Sequence, residues 1–193
     1  MNIAIVILSA GRSTRMGTAK QLLAIGDTTL LGLSIIHAQK CNANQVICVL
    51  GADAEIIKDS ISSYEIDIIT NYNHKEGLSS SIVESVNYLE NKNIDAVLIM
   101  LADQPKVDSK YLNLLIDSFE KNPTKITASA YDQNIGVPAI FPKKHFKQLQ
   151  KLKGDKGAKD FLNAHYKEII SIRNEKLIDI DTKEDYLNFL KSL

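Results

Sequence analysis

The sequence predicts an α/β fold: a three-layer α/β/α sandwich built around a mostly parallel, Rossmann-like sheet. Short apolar runs alternate with amphipathic segments of helix length along the chain, which is the order that βαβ units produce. Two runs, IAIVIL at 3–8 and AVLIML at 96–101, are apolar without interruption, as strands covered on both faces require. A chain of 193 residues is long enough for one such domain and short for two.

Each element follows from its local pattern. Apolar runs flanked by Gly, Asn, Asp or Pro predict strands at 3–8, 45–50, 66–70, 95–101 and 125–131. Apolar residues recurring at three and four predict helices at 29–40, 53–62, 80–90 and 109–121. Beyond residue 131 the pattern predicts an extended piece at 136–142, helices at 143–152 and 154–166, short strands at 168–173 and 177–181, and a closing helix at 183–193.

The charge balance argues against a surface that binds polyanions globally. Lys and Arg together number 23, Asp and Glu also number 23, and Trp is absent, so we expect no nucleic acid and no membrane among the partners. The apolar opening MNIAIVIL is too short to span a bilayer and lacks the basic residues of a signal peptide. We therefore expect a cytoplasmic protein in which any anion binding is local.

The stretch LSAGRSTRMGTAK at 8–20 follows the first predicted strand directly. Its glycines permit left-handed backbone and close approach, so the amides between them can converge on phosphate oxygens. Three cations accompany the two glycines: the residues are Gly11, Gly17, Arg12, Arg15 and Lys20. The spacing fits neither the Walker A pattern GxxxxGKS/T nor the GxGxxG of dinucleotide-binding folds. It predicts a phosphate-binding loop of another kind.

Carboxylates are expected opposite this loop. LADQP at 101–105 places Asp103 at the end of a predicted buried strand, where the ligand crevice of an open α/β sheet lies. Mg²⁺ takes oxygen ligands and commonly uses one or two carboxylates with substrate phosphates, so Asp103 is a candidate metal ligand. A second ligand is expected from LIDIDTKEDY at 177–186, where the candidates are Asp179, Asp181 and Asp185. Thr182 with Asp185 also matches a helix capping box.

A serine-rich turn, EGLSSSI at 76–82, precedes a predicted helix. Ser81 and Glu84 have the spacing of a capping box. That structural role leaves Gly77, Ser79 and Ser80 unexplained, and short hydroxyls at a helix start can hold a sugar or a base.

A second polar turn, GDKGAKD at 154–160, also precedes a predicted helix. Asp155 is a candidate cap, and Lys156 lies in the first turn, where exposed amides and the helix dipole favour an anion. A flexible surface loop is an equal alternative. Gly136 and Pro138, in the extended GVPAIF, are expected to approach the same ligand.

Six motifs resemble, in order along the chain, those of the molybdenum cofactor cytidylyltransferases and their guanylyltransferase relatives. They are LSAGRSTRMGTAK, NYNHKEGLSSSI, LADQP, GVPAIF, LKGDKGAK and DIDTKEDY. The resemblance implies a fold of the nucleotide-diphospho-sugar transferase, GT-A-like type, as one domain over 1–193. It also implies a nucleotide-binding part at about 1–106 and an acceptor-binding part at about 107–193.

The same resemblance implies a role for individual residues. The expected catalytic residues are Arg15, Lys20 and Asp103. The expected nucleotide-binding residues are Ser9, Ala10, Gly11, Arg12, Ser13, Arg15, Gly17, Lys20, Asn71, Gly77, Ser79, Ser80 and Asp103. The expected acceptor-binding residues are Gly136, Pro138, Asp155 and Lys156. Asp103 and Asp181 are expected to hold Mg²⁺ or Mn²⁺.

The implied reaction transfers a nucleoside monophosphate from a triphosphate to a phosphorylated small molecule and releases pyrophosphate. CTP is favoured because Ser9-Ala10-Gly11 lacks the Gly-Gly pair typical of the guanylyl branch. The resemblance alone implies molybdopterin as the acceptor and transient contact with a molybdoenzyme or its chaperone. Two alternatives stay open: transfer to a sugar or polyol phosphate, and a chaperone that binds nucleotide or cofactor without turnover.

Overall fold

The computed structural model describes residues 1–13, 16–131, 134–174 and 177–193. Its strands are β1 Ile3–Ser9, β2 Ala24–Ile25, β3 Thr28–Thr29, β4 Gln45–Leu50, β5 Asp67–Thr70, β6 Ala96–Leu101, β7 Ile126–Tyr131, β8 Asn134–Pro142 and β9 Ile169–Arg173. Its α-helices are α1 Leu30–Gln39, α2 Ala54–Ser60, α3 Leu78–Leu89, α4 Ser109–Lys121, α5 Phe146–Leu149, α6 Lys159–Ala164 and α7 Lys183–Leu190.

Seven strands form one central sheet in the order β5-β4-β1-β6-β8-β7-β9. β1 lies between β4 and β6 and is parallel to both. β8 runs antiparallel to β6 and to β7, and β9 is parallel to β7. The mostly parallel sheet predicted from the sequence is confirmed.

Helices cover both faces of this sheet. Alternate residues of β1 enter opposite cores: Ile3, Ile5 and Ile7 pack with α1, α2 and α4, whereas Ala4, Val6 and Leu8 pack with α3, α5 and α6. All six of these side chains are buried, which explains why this strand is apolar without interruption. The predicted three-layer α/β/α sandwich is therefore confirmed.

A third, smaller core holds the end of the chain against its beginning. Ile180 and Phe189 pack with Ile25 and Leu30, so the segment before α7 lies beside the start of α1. This contact brings LIDIDTKEDY close to the loop that follows β1.

Three local predictions were wrong. The segment 177–181 is irregular and forms no strand. α3 begins at Leu78, so Ser81 lies within the helix and caps nothing. The turn at 154–158 precedes the short α6, whose first residue is Lys159 and whose start has no side-chain cap, so Asp155 is not a helix cap.

Among the described helices, none has the length and apolarity needed to cross a membrane.

Candidate functional site

The site lies where three neighbouring parallel strands end. β1, β4 and β6 are adjacent and point the same way, so the segments after Ser9, Leu50 and Leu101 meet at one edge of the sheet. This edge is where open α/β sheets bind their ligands. The main chain ties the segments together: Ala52 N donates to Ala10 O at 3.2 Å, and Ala102 N donates to Leu8 O at 3.2 Å.

Lys20 lies between the two carboxylates predicted to bind a metal. Its Nζ donates to Asp103 Oδ2 at 2.6 Å and to Asp181 Oδ1 at 3.0 Å. A third bond, to Ile180 O at 3.1 Å, completes the three donors of the ammonium group. These hydrogen bonds connect Lys20, in the cationic loop, to residues 83 and 160 positions further along the chain. A cationic loop facing these carboxylates was expected from the sequence.

The position of Asp181 is set by its neighbours along the chain. Ile180 is fully buried, and its amide donates to Asp103 O at 2.9 Å. On the other side, Asp185 Oδ2 accepts from Asp181 N at 3.2 Å and from Thr182 N at 2.8 Å. The predicted capping box of Thr182 and Asp185 is confirmed, and it helps to fix Asp181 at the start of α7.

The other two acidic candidates have different partners. Asp179 Oδ1 accepts from Gln104 Nε2 at 2.9 Å. One oxygen of Asp185, Oδ2, accepts the capping-box hydrogen bonds from Thr182. These bonds hold the pKa of the Asp185 carboxyl below its ordinary value. Of the three, Asp181 is the one that contacts Lys20, and this favours it as the partner of Asp103.

Removing the capping box should loosen this end of the site. We expect Thr182→Ala to lower the free energy of unfolding by about 1 kcal/mol, because Thr182 Oγ1 accepts the Asp185 amide at the first turn of α7. Urea denaturation followed by circular dichroism measures the change. Lys191→Gln, at the exposed position that follows the other end of the same helix, is the control and should stay within about 0.5 kcal/mol of wild type. An unchanged Thr182→Ala would contradict a stabilising role for the cap.

Burial is the largest influence on the pKa of both Asp103 and Lys20. Burial raises the pKa of the Asp103 carboxyl, and the nearby Lys20 offsets only part of this effect. Burial alone would lower the pKa of Lys20, but Asp103 and Asp181 outweigh it and the pKa is raised. Lys20 therefore carries its charge at neutral pH and serves as the counter-ion of both carboxylates.

One oxygen of Asp103 is placed as a ligand of a divalent metal would be. Asp103 Oδ1 is buried and has no hydrogen-bond partner among the described residues, an arrangement that costs free energy unless a ligand satisfies it. In the described parts of the chain no group of three or more His, Cys, Asp and Glu side chains is placed to hold a metal. Two carboxylates with substrate phosphates are, however, a common environment for Mg²⁺.

The loop after β1 is shaped by Ser13. Its carbonyl accepts from Met16 N at 3.0 Å and Gly17 N at 3.2 Å, and its Oγ accepts from Lys20 N at 2.8 Å. Gly17 has a φ of +71°, which glycine adopts without strain. Arg15, predicted to be catalytic, lies outside the described residues.

Several cavities adjoin one another along this loop, and three of them contain predicted site residues on both sides. The first, of about 180 Å³, is lined by Ser9, Ala10, Gly11, Arg12, Lys20, Gln21 and Asp103, among others. The second, of about 440 Å³, shares Ala10, Gly11 and Arg12 with the first and adds His74, Gly77, Ser81 and Asp155. The third, of about 260 Å³, meets the first at Leu8, Leu78 and Leu101 and is lined by Tyr131, Gly136, Lys156 and Lys159. A ligand with several groups could extend from one to the next.

The predicted nucleotide residues near α3 fall into two groups. Gly77 lines the second cavity with a φ of +100°. Asn71 and Ser79 are buried, and the Asn71 amide donates to Ser80 Oγ at 2.8 Å and Ser81 Oγ at 3.0 Å. Asn71 therefore anchors the start of α3, and direct nucleotide contact by Asn71, Ser79 and Ser80 stays a prediction.

The predicted acceptor residues are also divided. Gly136 and Lys156 line the third cavity, and Tyr131 Oη lies so close to Gly136 that an added Cβ would stand 2.1 Å from it. Pro138 is buried, and its carbonyl accepts from Ser129 Oγ at 2.7 Å. Asp155 lies over Gly77 and lines the second cavity, and its role in binding the acceptor stays a prediction.

Several lining residues were not predicted from the sequence: Gln21, His74, Tyr131 and Lys159. Gln21 was detectable in principle because it directly follows Lys20, and Lys159 because it ends the quoted LKGDKGAK motif. Tyr131 could not be assigned without knowing that it lines the same cavity as Leu8 and Leu101, near the ends of β1 and β6.

Comparison with known proteins identifies relatives along most of the chain. A family model described as MobA-like NTP transferase domain matches residues 5–169. The purine catabolism protein PucB of Bacillus subtilis (strain 168) is 26% identical over 192 residues, which cover 94% of this chain and 92% of that protein. The bifunctional protein GlmU of Gloeothece citriformis (strain PCC 7424) is 28% identical over 127 residues, covering 65% of this chain and 28% of GlmU.

A solved structure shares the whole architecture. Rv0371c from Mycobacterium tuberculosis H37Rv superimposes with a TM-score of 0.86 at 28% identity, covering 100% of both chains. Its complex with manganese superimposes with a TM-score of 0.85. The similarity extends over the strand ends that carry the site described above.

Proposed function

The chain belongs to the MobA-like NTP transferase family, and from this premise we propose that it transfers CMP from CTP to a phosphorylated small molecule, with release of pyrophosphate. One observation supports this proposal above the others: Lys20, in the loop after β1, lies within hydrogen-bond distance of both Asp103 and Asp181. A triphosphate bound along that loop would meet a cationic group and a carboxylate pair in the same cleft.

The transfer requires in-line attack by an acceptor phosphate oxygen on the α-phosphorus, while the bond from that phosphorus to the pyrophosphate oxygen breaks. A phosphate nucleophile is ionised near neutral pH, so no general base is needed. The task of the protein is then alignment and charge neutralisation. The loop amides of Ala10 and Arg12, with the side chains of Arg12 and Arg15, would hold the β- and γ-phosphates of the leaving group.

Asp103 and Asp181 would hold the divalent cation, Mg²⁺ or Mn²⁺, which when bound neutralises charge on the phosphates and orients them. The manganese complex of Rv0371c supports a divalent ion in this family. Lys20 would then turn from the carboxylates toward the α-phosphate, where its ammonium stabilises developing negative charge. Where it now lies, the Lys20 ammonium offsets one of the two carboxylate charges.

The choice of CTP is supported by the loop sequence. Ser9-Ala10-Gly11 lacks the Gly-Gly pair of the guanylyl branch. The second cavity, with Gly77 and Asp155 in its wall, is the place we assign to the ribose and base.

The third cavity is suited to a phosphorylated acceptor. Its wall is largely apolar, with Ile82, Ile135, Val137 and Leu162, and Lys156 and Lys159 supply positive charge. This combination fits a flat, partly apolar molecule that carries a phosphate, and molybdopterin is the acceptor we propose. Delivery to a molybdoenzyme or its chaperone would follow from that identity.

A pyrophosphate-release assay tests the function. Purified protein with Mg²⁺ is given CTP, GTP, ATP or UTP together with molybdopterin, a sugar phosphate or a polyol phosphate. We expect release with CTP and molybdopterin and at least about tenfold less with the other combinations, as expected when a site's polar groups are left unpaired by the wrong substrate. If pyrophosphate were released with a sugar phosphate but not with molybdopterin, the acceptor would be a sugar phosphate. Nucleotide binding without any release of pyrophosphate would identify a non-catalytic binding protein.

A further inference from the structure

Gln21 is a buried amide within the loop that carries Lys20. The side chain is only 4% exposed, although it belongs to the short 3-10 turn Lys20–Leu22 at the edge of the first cavity. A buried amide must be fully hydrogen-bonded to be tolerated. Its bonds therefore show what the residue holds in place.

The amide of Gln21 connects both ends of the phosphate loop. Nε2 donates to Ser9 O at 3.0 Å and to Gly11 O at 3.2 Å. Oε1 accepts from Ser13 Oγ at 3.3 Å. Carbonyl oxygens only accept hydrogen bonds, so this network also fixes which end of the amide is nitrogen.

These bonds orient the main chain of the loop. In a trans peptide the C=O of one residue and the N–H of the next point in opposite directions. With the carbonyls of Ser9 and Gly11 held toward Gln21, the N–H groups of Ala10 and Arg12 are directed away from it. Both residues line the first and second cavities, so these two amides lie at the walls of the cavities in which a ligand would bind.

The same network reaches Lys20. Ser13 Oγ, which donates to Gln21, accepts from Lys20 N at 2.8 Å. Gln21 is thus coupled to the backbone of the residue whose ammonium contacts Asp103 and Asp181. A shift of the Gln21 side chain would therefore move the loop amides and the backbone of Lys20 together.

We infer that Gln21 is a positioning residue: it preorganises the amides of Ala10 and Arg12, and the backbone of Lys20, for the triphosphate of the nucleotide. This inference rests on the proposed function, and it assigns to Gln21 a role in phosphate binding that goes beyond packing. Preorganised donors cost no ordering when the ligand binds. Loss of the amide should therefore appear in nucleotide affinity and in turnover.

Two substitutions and one control separate positioning from packing. Gln21→Met keeps the volume and removes every hydrogen bond. Gln21→Glu keeps the shape but places a carboxylate against the carbonyls of Ser9 and Gly11. Gln45→Met is the control, because Gln45 also bonds through its amide, to Asp67, but lies at the amino end of β4, away from the site.

Calorimetry with CTP and Mg²⁺, and steady-state kinetics of pyrophosphate release, measure the outcome. We expect Gln21→Met to raise the Kd for CTP at least about tenfold and to lower kcat, Gln21→Glu to raise the Kd further, and Gln45→Met to bind like wild type. Should Gln21→Met fail to fold, Gln21→Glu decides. A folded Gln21 variant with wild-type Kd and kcat would overturn the inference alone, whereas a wild type that binds none of the four triphosphates would contradict the proposed function as well.

Discussion

Asp103→Asn is expected to reduce pyrophosphate release by about a thousandfold or more while the protein stays folded. The substitution removes the negative charge and replaces one of the two carboxylate oxygens by an amide nitrogen: either Oδ1, which is buried without a partner among the described residues, or Oδ2, which accepts from Lys20. The first is available to a divalent ion, and loss of a metal ligand or a preorganised charge-stabilising group has effects of this size. Lys20 keeps Asp181 as a counter-ion, so folding is preserved.

The measurement pairs a rate with a fold control. Pyrophosphate release is compared between wild type, Asp103→Asn and Asp117→Asn, with circular dichroism spectra of all three. Asp117 is exposed on α4, so its amide variant should match wild type. A folded Asp103→Asn that turns over at a near-normal rate would remove Asp103 from the metal site.

Lys20→Met is expected to have two opposite effects. The rate of transfer should fall about a hundredfold or more, because a charge-stabilising group is lost. Binding of Mn²⁺ to the nucleotide-free protein should tighten roughly tenfold or more, because the ammonium that neutralises Asp103 and Asp181 no longer opposes a second cation. The gain in metal affinity alongside a loss of activity distinguishes this account from simple damage to the loop.

Titration of free Mn²⁺ by electron paramagnetic resonance measures the second effect without any reaction. Lys58→Met, on the exposed face of α2, is the control and should leave both the rate and the Mn²⁺ affinity unchanged. If Lys20→Met bound Mn²⁺ as wild type does, the two carboxylates would not be the metal site, or Lys20 would not compete for it.

The strands that build the site were predictable because burial fixes their composition. β4 was predicted at 45–50 and is found there, and β1 and β6 differ from their predictions by one residue at one end. Since both faces of these strands are covered, nearly every side chain must be apolar, and the apolar run itself marks the strand. The carboxyl ends of the runs then located Ser9 and Asp103 at a common edge.

Features that depend on tertiary contacts could not be predicted in the same way. The antiparallel direction of β8 is set by its pairing with β6 and β7, about which local periodicity carries no information. The hairpin of β2 and β3 has two residues per strand, too few for a periodic signal. α3 begins at Leu78, two residues before its predicted start. There the Asn71 amide donates to the hydroxyls of Ser80 and Ser81, a contact that lies outside the helical pattern.

The candidate site shows the same division. The approach of Lys20 to Asp103 and Asp181 was expected from residue chemistry and strand ends. The role of Gln21 was not, since two of its partners are main-chain carbonyls, which no residue pattern displays. Asp155 was predicted to bind the acceptor, and its position over Gly77, in a distant segment of the chain, could not be predicted from local sequence.

The most direct test is a crystal structure with Mn²⁺ and a non-hydrolysable analogue of CTP. The account predicts an anomalous manganese peak in contact with Asp103 and Asp181, the triphosphate against residues 10–17, and Lys20 Nζ moved from the carboxylates to a phosphate oxygen. A manganese ion bound elsewhere, or a triphosphate that leaves Lys20 paired with both carboxylates, would contradict it.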